Sequence, residues 1–151
     1  MLPEILKKHI SKLEAIVEQL LDQTPIPYRT ATPSSFPETK GVYVIVSSQG
    51  EVIRAGKTGE KNATFRQRLY QNHLMGDQAG NLRKQLVESG QCSSLETAKD
   101  WIRENCKVRY LEIADSSTRA NLEHFMLAVL QPKFCDNNKE LRESQNGSSR
   151  Q

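Results

Sequence analysis

The chain has no apolar run near the ~18 residues that cross a membrane. Its first residues, MLPEILKKHI, carry charges where a secretory signal needs an apolar core. A soluble, cytoplasmic protein with no membrane partner is expected. Cysteine is scarce: Cys92, Cys106 and Cys135 are odd in number and lack CxxC spacing, which favours free buried thiols over a disulfide scaffold or a zinc site. His9, His73 and His124 are scattered and form no HExxH or HxxxH pair. No internal repeat, zinc finger or helix-turn-helix is evident. The GKTG at 56–59 lacks the upstream glycine spacing of a phosphate-binding P-loop. Charge is close to balanced: a net +3 points only weakly to an anionic partner.

What is present suits one folded domain with some length to spare. Of 151 residues, 36% are hydrophobic and 26% charged, the proportions of a globular chain. Leu2, Ile5, Leu6, Ile10, Leu13, Ile16, Val17, Leu20 and Leu21 recur at i, i+3, i+4, so residues 1–23 read as an N-terminal amphipathic helix. That stripe suits packing on the domain; a homodimer or protein-partner contact is its other use. Pro25, Pro27, Pro33 and Pro37 mark residues 24–39 as an extended Pro-rich linker. The working domain spans 40–138, and 139–151 is a polar, frayed C-terminal tail.

Within the domain, two short apolar runs predict strands at 41–47 and 51–56, turning through Ser48-Gln49-Gly50. Helices are expected over 63–75 and 79–89. Ser93 stands three residues before Glu96, a capping-box spacing that opens a helix to about Asn105. Residues 106–114 alternate as a third strand, and 117–130 form a last helix ended by Pro132. The sum is a small α/β domain: a three-stranded mixed β-sheet flanked by helices.

Gly41-Val42-Tyr43, ten residues, then Arg54-Ala55-Gly56 resembles the paired signature of the GIY-YIG nucleases. The likeness continues in order with Lys57 and Thr58, Phe65-x-x-Arg68-Leu69, Glu123 and Leu130-x-Pro132, and covers about residues 40 to 138. It implies a domain of about 100 residues that cuts DNA with one Mg²⁺ or Mn²⁺. Two departures stand out. Arg54 replaces the second signature tyrosine, and Cys135 stands where the family has asparagine, with Asn137 and Asn138 just beyond.

Hydrolysing a phosphodiester needs activated water, a cation for the charge developing on phosphate, and help for the leaving oxygen. By resemblance Tyr43 is the base or water-positioner. Phenols ionise only near pH ~10, so that role asks for a neighbouring cation, for which Lys57 is the candidate. Glu123 is the implied metal ligand, at the edge of a helix face formed by Leu122, Phe125, Met126 and Val129. Arg68 matches the phosphate-clamping arginine. Arg66 competes with it because Tyr70 and His73 follow at i+4 and i+7 in one helical stripe. Gly41 opens the strand bearing Tyr43, and Gly56 is expected to leave room for a phosphate approaching Lys57. Arg54 either binds phosphate in place of the tyrosine or marks a retired centre; in the second case the domain grips nucleic acid without cutting it.

Overall fold

Alternating β-formers decide the centre of the molecule. In the computed structural model, which describes residues 2–134, Gly41–Ser47 forms β2 and Val52–Lys57 forms β3, joined by a turn with Gly50 at φ 83°. Cross-strand partners are Val42 with Lys57, Tyr43 with Gly56, Val44 with Ala55 and Ile45 with Arg54; Val46 then pairs with Val52. The register therefore slips by one, and Ile53 is the extra residue of a β-bulge. β4 (Cys106–Glu112) pairs along the other edge of β2, setting Tyr43 beside Tyr110 and Ile45 beside Val108. A two-residue β1 (Ile26–Pro27) extends the sheet beyond β4.

The fold is α/β, but its sheet has four strands in the order β1-β4-β2-β3 and every pairing is antiparallel. The expected three-stranded mixed sheet is corrected on both counts. β4 does run parallel to β3, yet it adds beside β2, so the parallel pair never forms. The fourth strand comes from the proline-rich stretch.

Helices cover both faces. Val42, Val44, Val46 and Ala55 pack under α1 (Leu2–Leu21) and α4 (Ser116–Leu130), against Val17, Leu20, Leu122 and Met126. Leu20, Leu122 and Met126 have no exposed surface, each contributing about 1.5–3 kcal/mol relative to exposure. Tyr43, Ile45, Ile53 and Val108 face the other layer, built from a π-helix (Arg66–Asn72), α2 (Leu82–Glu88) and α3 (Leu95–Asn105). The stripe of α1 is split: its C-terminal half packs, while Leu2, Ile5 and Leu6 remain exposed. Among the described residues no helix is long and apolar enough to cross a membrane.

Residues 24–39 do not behave as an extended linker. Tyr28, Ala31 and Phe36 are buried in the main core, and Arg103 Nη1 donates to the carbonyls of Tyr28 and Ala31 at 3.0 and 3.2 Å. Boundary corrections are smaller. Ser94, not Ser93, caps α3, accepting from the Thr97 amide, with Thr97 in place of Glu96 completing the box. Asp115 caps α4, which ends in left-handed Gln131 before Pro132. The Lys133 and Phe134 amides then donate to the Val52 and Ile53 carbonyls, covering the open edge of β3. Cys135, Asn137, Asn138 and the 139–151 tail lie outside the described residues.

Candidate functional site

Both signature glycines are required by contacts. A Cβ on Gly41 would overlap the Leu111 carbonyl oxygen and stand 2.6 Å from the Phe65 ring and 2.9 Å from the Ile113 nitrogen. A Cβ on Gly56 would lie 2.6 Å from Tyr43 Oη. Gly56 therefore makes room for the Tyr43 hydroxyl directly across the hairpin, which corrects the expectation that it clears a path to Lys57.

The Tyr43 oxygen is held 2.8 Å from His73 Nε2. His73 Nδ1 accepts the Leu82 amide N–H at 3.0 Å, so that nitrogen carries a lone pair and the ring proton resides on Nε2. The imidazole is thus locked as a donor to Tyr43. Tyr43 Oη accepts, and its own proton has no acceptor among the described residues. Burial, with Arg54 and Arg68 nearby, holds His73 well below the ordinary histidine range, so the ring stays neutral. Neither Tyr43 nor His73 has exposed surface. Contact with water or substrate requires the layer above them to open.

This burial has a pH consequence. An imidazole in the unfolded chain titrates near pH ~6.5, whereas folded His73 takes its proton only at much lower pH. Below ~6.5 the unfolded state binds the extra proton, so folding stability is lost on acidification, by up to about 1.4 kcal/mol per pH unit. Denaturant midpoints measured from about pH 7 down to about pH 5 should fall in the wild type and flatten in His73→Gln. A slope left unchanged by the substitution would contradict the neutral, buried assignment.

His73 and Arg68 meet because the intervening segment is a π-helix. The His73 amide donates to the Arg68 carbonyl at 3.0 Å, and Met75 donates to Tyr70 at 3.1 Å, both i to i+5. Arg68 and His73 are thereby one turn apart, replacing the expected α-helical stripe of Arg66, Tyr70 and His73. Such π-turns are rare and occur often at functional sites. The Tyr28 hydroxyl donates to the Leu69 carbonyl at 2.9 Å and anchors this turn. Arg68 is half-buried. Arg66 is engaged elsewhere, with Nε donating to the Phe36 carbonyl at 3.0 Å and Nη1 to Glu38 at 2.7 Å. Tyr70 packs its ring on the core.

The remaining candidates, Arg54, Lys57 and Glu123, divide between the two faces of the sheet. Arg54 is 1% exposed; its Nη1 donates to the Gly80 carbonyl at 2.7 Å and to Gln85 Oε1, tying β3 to the start of α2. In this conformation it clamps β3 to α2 on the face of the sheet that carries Tyr43, with Ile45 as its cross-strand partner. Lys57 pairs with Val42, so it leaves the sheet on the α1/α4 side, opposite Tyr43. The expectation that Tyr43 and Lys57 present themselves together to one phosphate is corrected accordingly. Lys57 instead lies within electrostatic range of Glu60, whose carboxyl is lowered by the Ser116 hydroxyl first, then by Arg119, Lys40 and Lys57. Glu123, half-buried, sits on α4, one turn beyond Arg119 and in the layer across the sheet from Tyr43.

Among the described residues no group of three or more His, Cys, Asp or Glu gathers to hold a metal. A single carboxylate still fits Mg²⁺, which commonly keeps several waters and takes one or two carboxylates plus substrate phosphates. Glu123 meets that minimum. Cys92 and Cys106 are free and buried, and burial pushes the Cys106 thiol up to about 12, too high for a neutral-pH nucleophile.

Several positions had no sequence signal. Arg119 is buried, with Nη1 donating to the Ile113 and Ala114 carbonyls and Nη2 3.4 Å from Glu60. Asn81 Nδ2 donates to the Asn72 carbonyl while its Oδ1 caps α2, fixing the Leu82 amide that sets the His73 tautomer. The chain matches no protein-family model, and no curated protein or solved structure matches it at a significant level.

Proposed function

We propose that this chain is a metal-dependent DNA endonuclease with a GIY-YIG-like centre. The observation that carries the reading is the Tyr43–His73 pair. A buried tyrosine kept only for packing needs no imidazole locked in one tautomer, and a buried polar pair is costly unless each group is satisfied. Here the phenol oxygen receives a fixed N–H while its own proton is left to give. An N–H aimed at that oxygen stabilises negative charge there when the proton leaves, as a base or water-positioner requires.

The other roles are those that the resemblance implies. Arg68, one π-turn from His73, is the arginine assigned to phosphate. Arg66 is held by Phe36 and Glu38 and positions the segment before the sheet. Glu123 is the residue that would hold Mg²⁺ or Mn²⁺, and the ion would neutralise charge developing on phosphate.

A second reading is favoured by the burial of Arg54, Tyr43 and His73: the same fold gripping DNA without cutting it. The two separate in one assay. Supercoiled, linear, branched and single-stranded DNA are incubated with Mg²⁺ or Mn²⁺, and binding is measured in parallel without metal. Cutting of any form supports the nuclease; salt-sensitive binding with no cutting of any form replaces it with the binding module.

A further inference from the structure

Gly80, Asn81 and Leu82 each hold a different part of the layer over Tyr43. The Gly80 carbonyl accepts from Arg54 Nη1 on β3 at 2.7 Å. Asn81 Nδ2 donates to the Asn72 carbonyl at 2.8 Å, and the Leu82 amide donates to His73 Nδ1 at 3.0 Å. The last two bonds join consecutive residues on both sides: Asn72-His73 where the π-helix ends, and Asn81-Leu82 where α2 begins. The tripeptide is thus a three-rung bracket between β3, the π-helix and α2. Gly80 takes the left-handed backbone at its corner, with φ 80°. Arg54, Asn81 and His73 are all buried.

The Leu82 amide is free for His73 because first-turn N–H groups have no acceptor inside their own helix. Asn81 Oδ1 caps the Lys84 amide at 2.8 Å and leaves that of Leu82 to the imidazole. This rung decides a polarity. With Nδ1 accepting, the ring proton sits on Nε2 and is donated to Tyr43, whose own proton stays available. In the other tautomer Nε2 carries the lone pair, and Tyr43 would have to donate to it. The phenol proton would then be tied up, and no N–H would stabilise charge left on the oxygen.

We infer that Arg54 is a positioning residue of the proposed centre, fixing through the Gly80-Asn81-Leu82 bracket which way the Tyr43–His73 hydrogen bond points. The side chain that stands in place of the second signature tyrosine therefore serves the centre through His73 instead of touching phosphate. Asn81 is the second positioning residue, at the middle rung. The inference rests on the nuclease reading above and deepens it.

The test is nitrogen NMR of the histidine rings at pH ~8, above the ordinary histidine range. The chain has three histidines, so His73 is assigned by the signals lost in His73→Gln. Wild type should show one neutral His73 tautomer, with its proton on Nε2. Arg54→Met removes the guanidinium and keeps an apolar stem, an exchange that buried charges commonly tolerate. Asn81→Ser keeps a hydroxyl to cap α2 but loses the amide that donates to Asn72. In both variants the two ring nitrogens should move toward a common shift, the mark of exchanging tautomers. Cleavage by both should fall roughly tenfold at unchanged DNA affinity, less than for losing the base outright. A purely structural role would lower both melting temperatures and leave the His73 nitrogens as in wild type. That result overturns the inference, as does a wild-type proton on Nδ1. Should Arg54→Met fail to fold, Asn81→Ser decides alone. Tautomer exchange in the variants without cutting by wild type sinks the nuclease reading and spares the bracket; cutting with unmoved His73 signals does the reverse.

Discussion

Gly41→Ala should lower stability by about 3 kcal/mol or more, the upper end of what overpacking costs. The added Cβ would meet the Leu111 carbonyl and the Ile113 nitrogen, both backbone atoms, and the Phe65 ring. A flexible side chain could swing aside, but β4 cannot retreat without breaking its ladder with β2, in which Gly41 pairs with Glu112. For a chain of this size the change corresponds to a melting temperature lower by roughly 10 °C. Gly59→Ala is the control: its Cβ would meet only the Ala63 side chain, at 3.2 Å, so the melting temperature should move little. Thermal unfolding of the two variants beside wild type reads the difference. Equal melting temperatures for Gly41→Ala and wild type would mean that β2 and β4 are not paired as described.

Tyr43→Phe should cut DNA hydrolysis by roughly 100-fold, the usual order for losing a positioned acid–base group. The ring remains beside Gly56, and the sheet register is unaffected. What disappears is the oxygen that accepts from His73 Nε2 at 2.8 Å. His73 is then left with a buried, unpartnered N–H, since its other nitrogen is already bound by the Leu82 amide, at a stability cost of about 1–3 kcal/mol. The variant should therefore lose both activity and stability while binding DNA as wild type does. Single-turnover cleavage, denaturant unfolding and metal-free binding measure the three effects separately. Full cleavage by Tyr43→Phe would reduce Tyr43 to a core aromatic.

Much of the fold was legible because its signals are local. The β-branched run from Val42 to Val46 and the Gly50 turn specify the hairpin, and period-2 alternation identifies β4. The i, i+3, i+4 stripe identifies α1, and its C-terminal half does pack. The errors have tertiary causes. Had β3 continued the register of Val46 and Val52, Tyr43 would sit opposite Ala55 and share a face with Lys57. The bulge at Ile53 shifts that register by one and sends Lys57 to the other side. No residue type announces such a bulge.

The π-helix is equally silent in the sequence, since its wider turn depends on the Tyr28 hydroxyl and the packing around Leu69 rather than on spacing. Tyr28 and Phe36 are single aromatics among prolines, too few to show a period, so their burial could not be foreseen. Of the candidate site, Tyr43, Gly56 and His73 come together. Arg54 is withdrawn into the core, and Lys57 and Glu123 lie across the sheet.

The proposed metal-dependent cleavage rests on one carboxylate, Glu123. Its most direct measurement is nicking of supercoiled plasmid with Mg²⁺ by wild type and by Glu123→Gln, with DNA affinity measured alongside. Wild type should nick, the variant should not, and the two should bind DNA equally, because Glu123 is half-buried on the outer helix and the glutamine amide keeps the shape of the carboxylate. A wild type that binds but never nicks, or a Glu123→Gln variant that nicks at the wild-type rate, would contradict it.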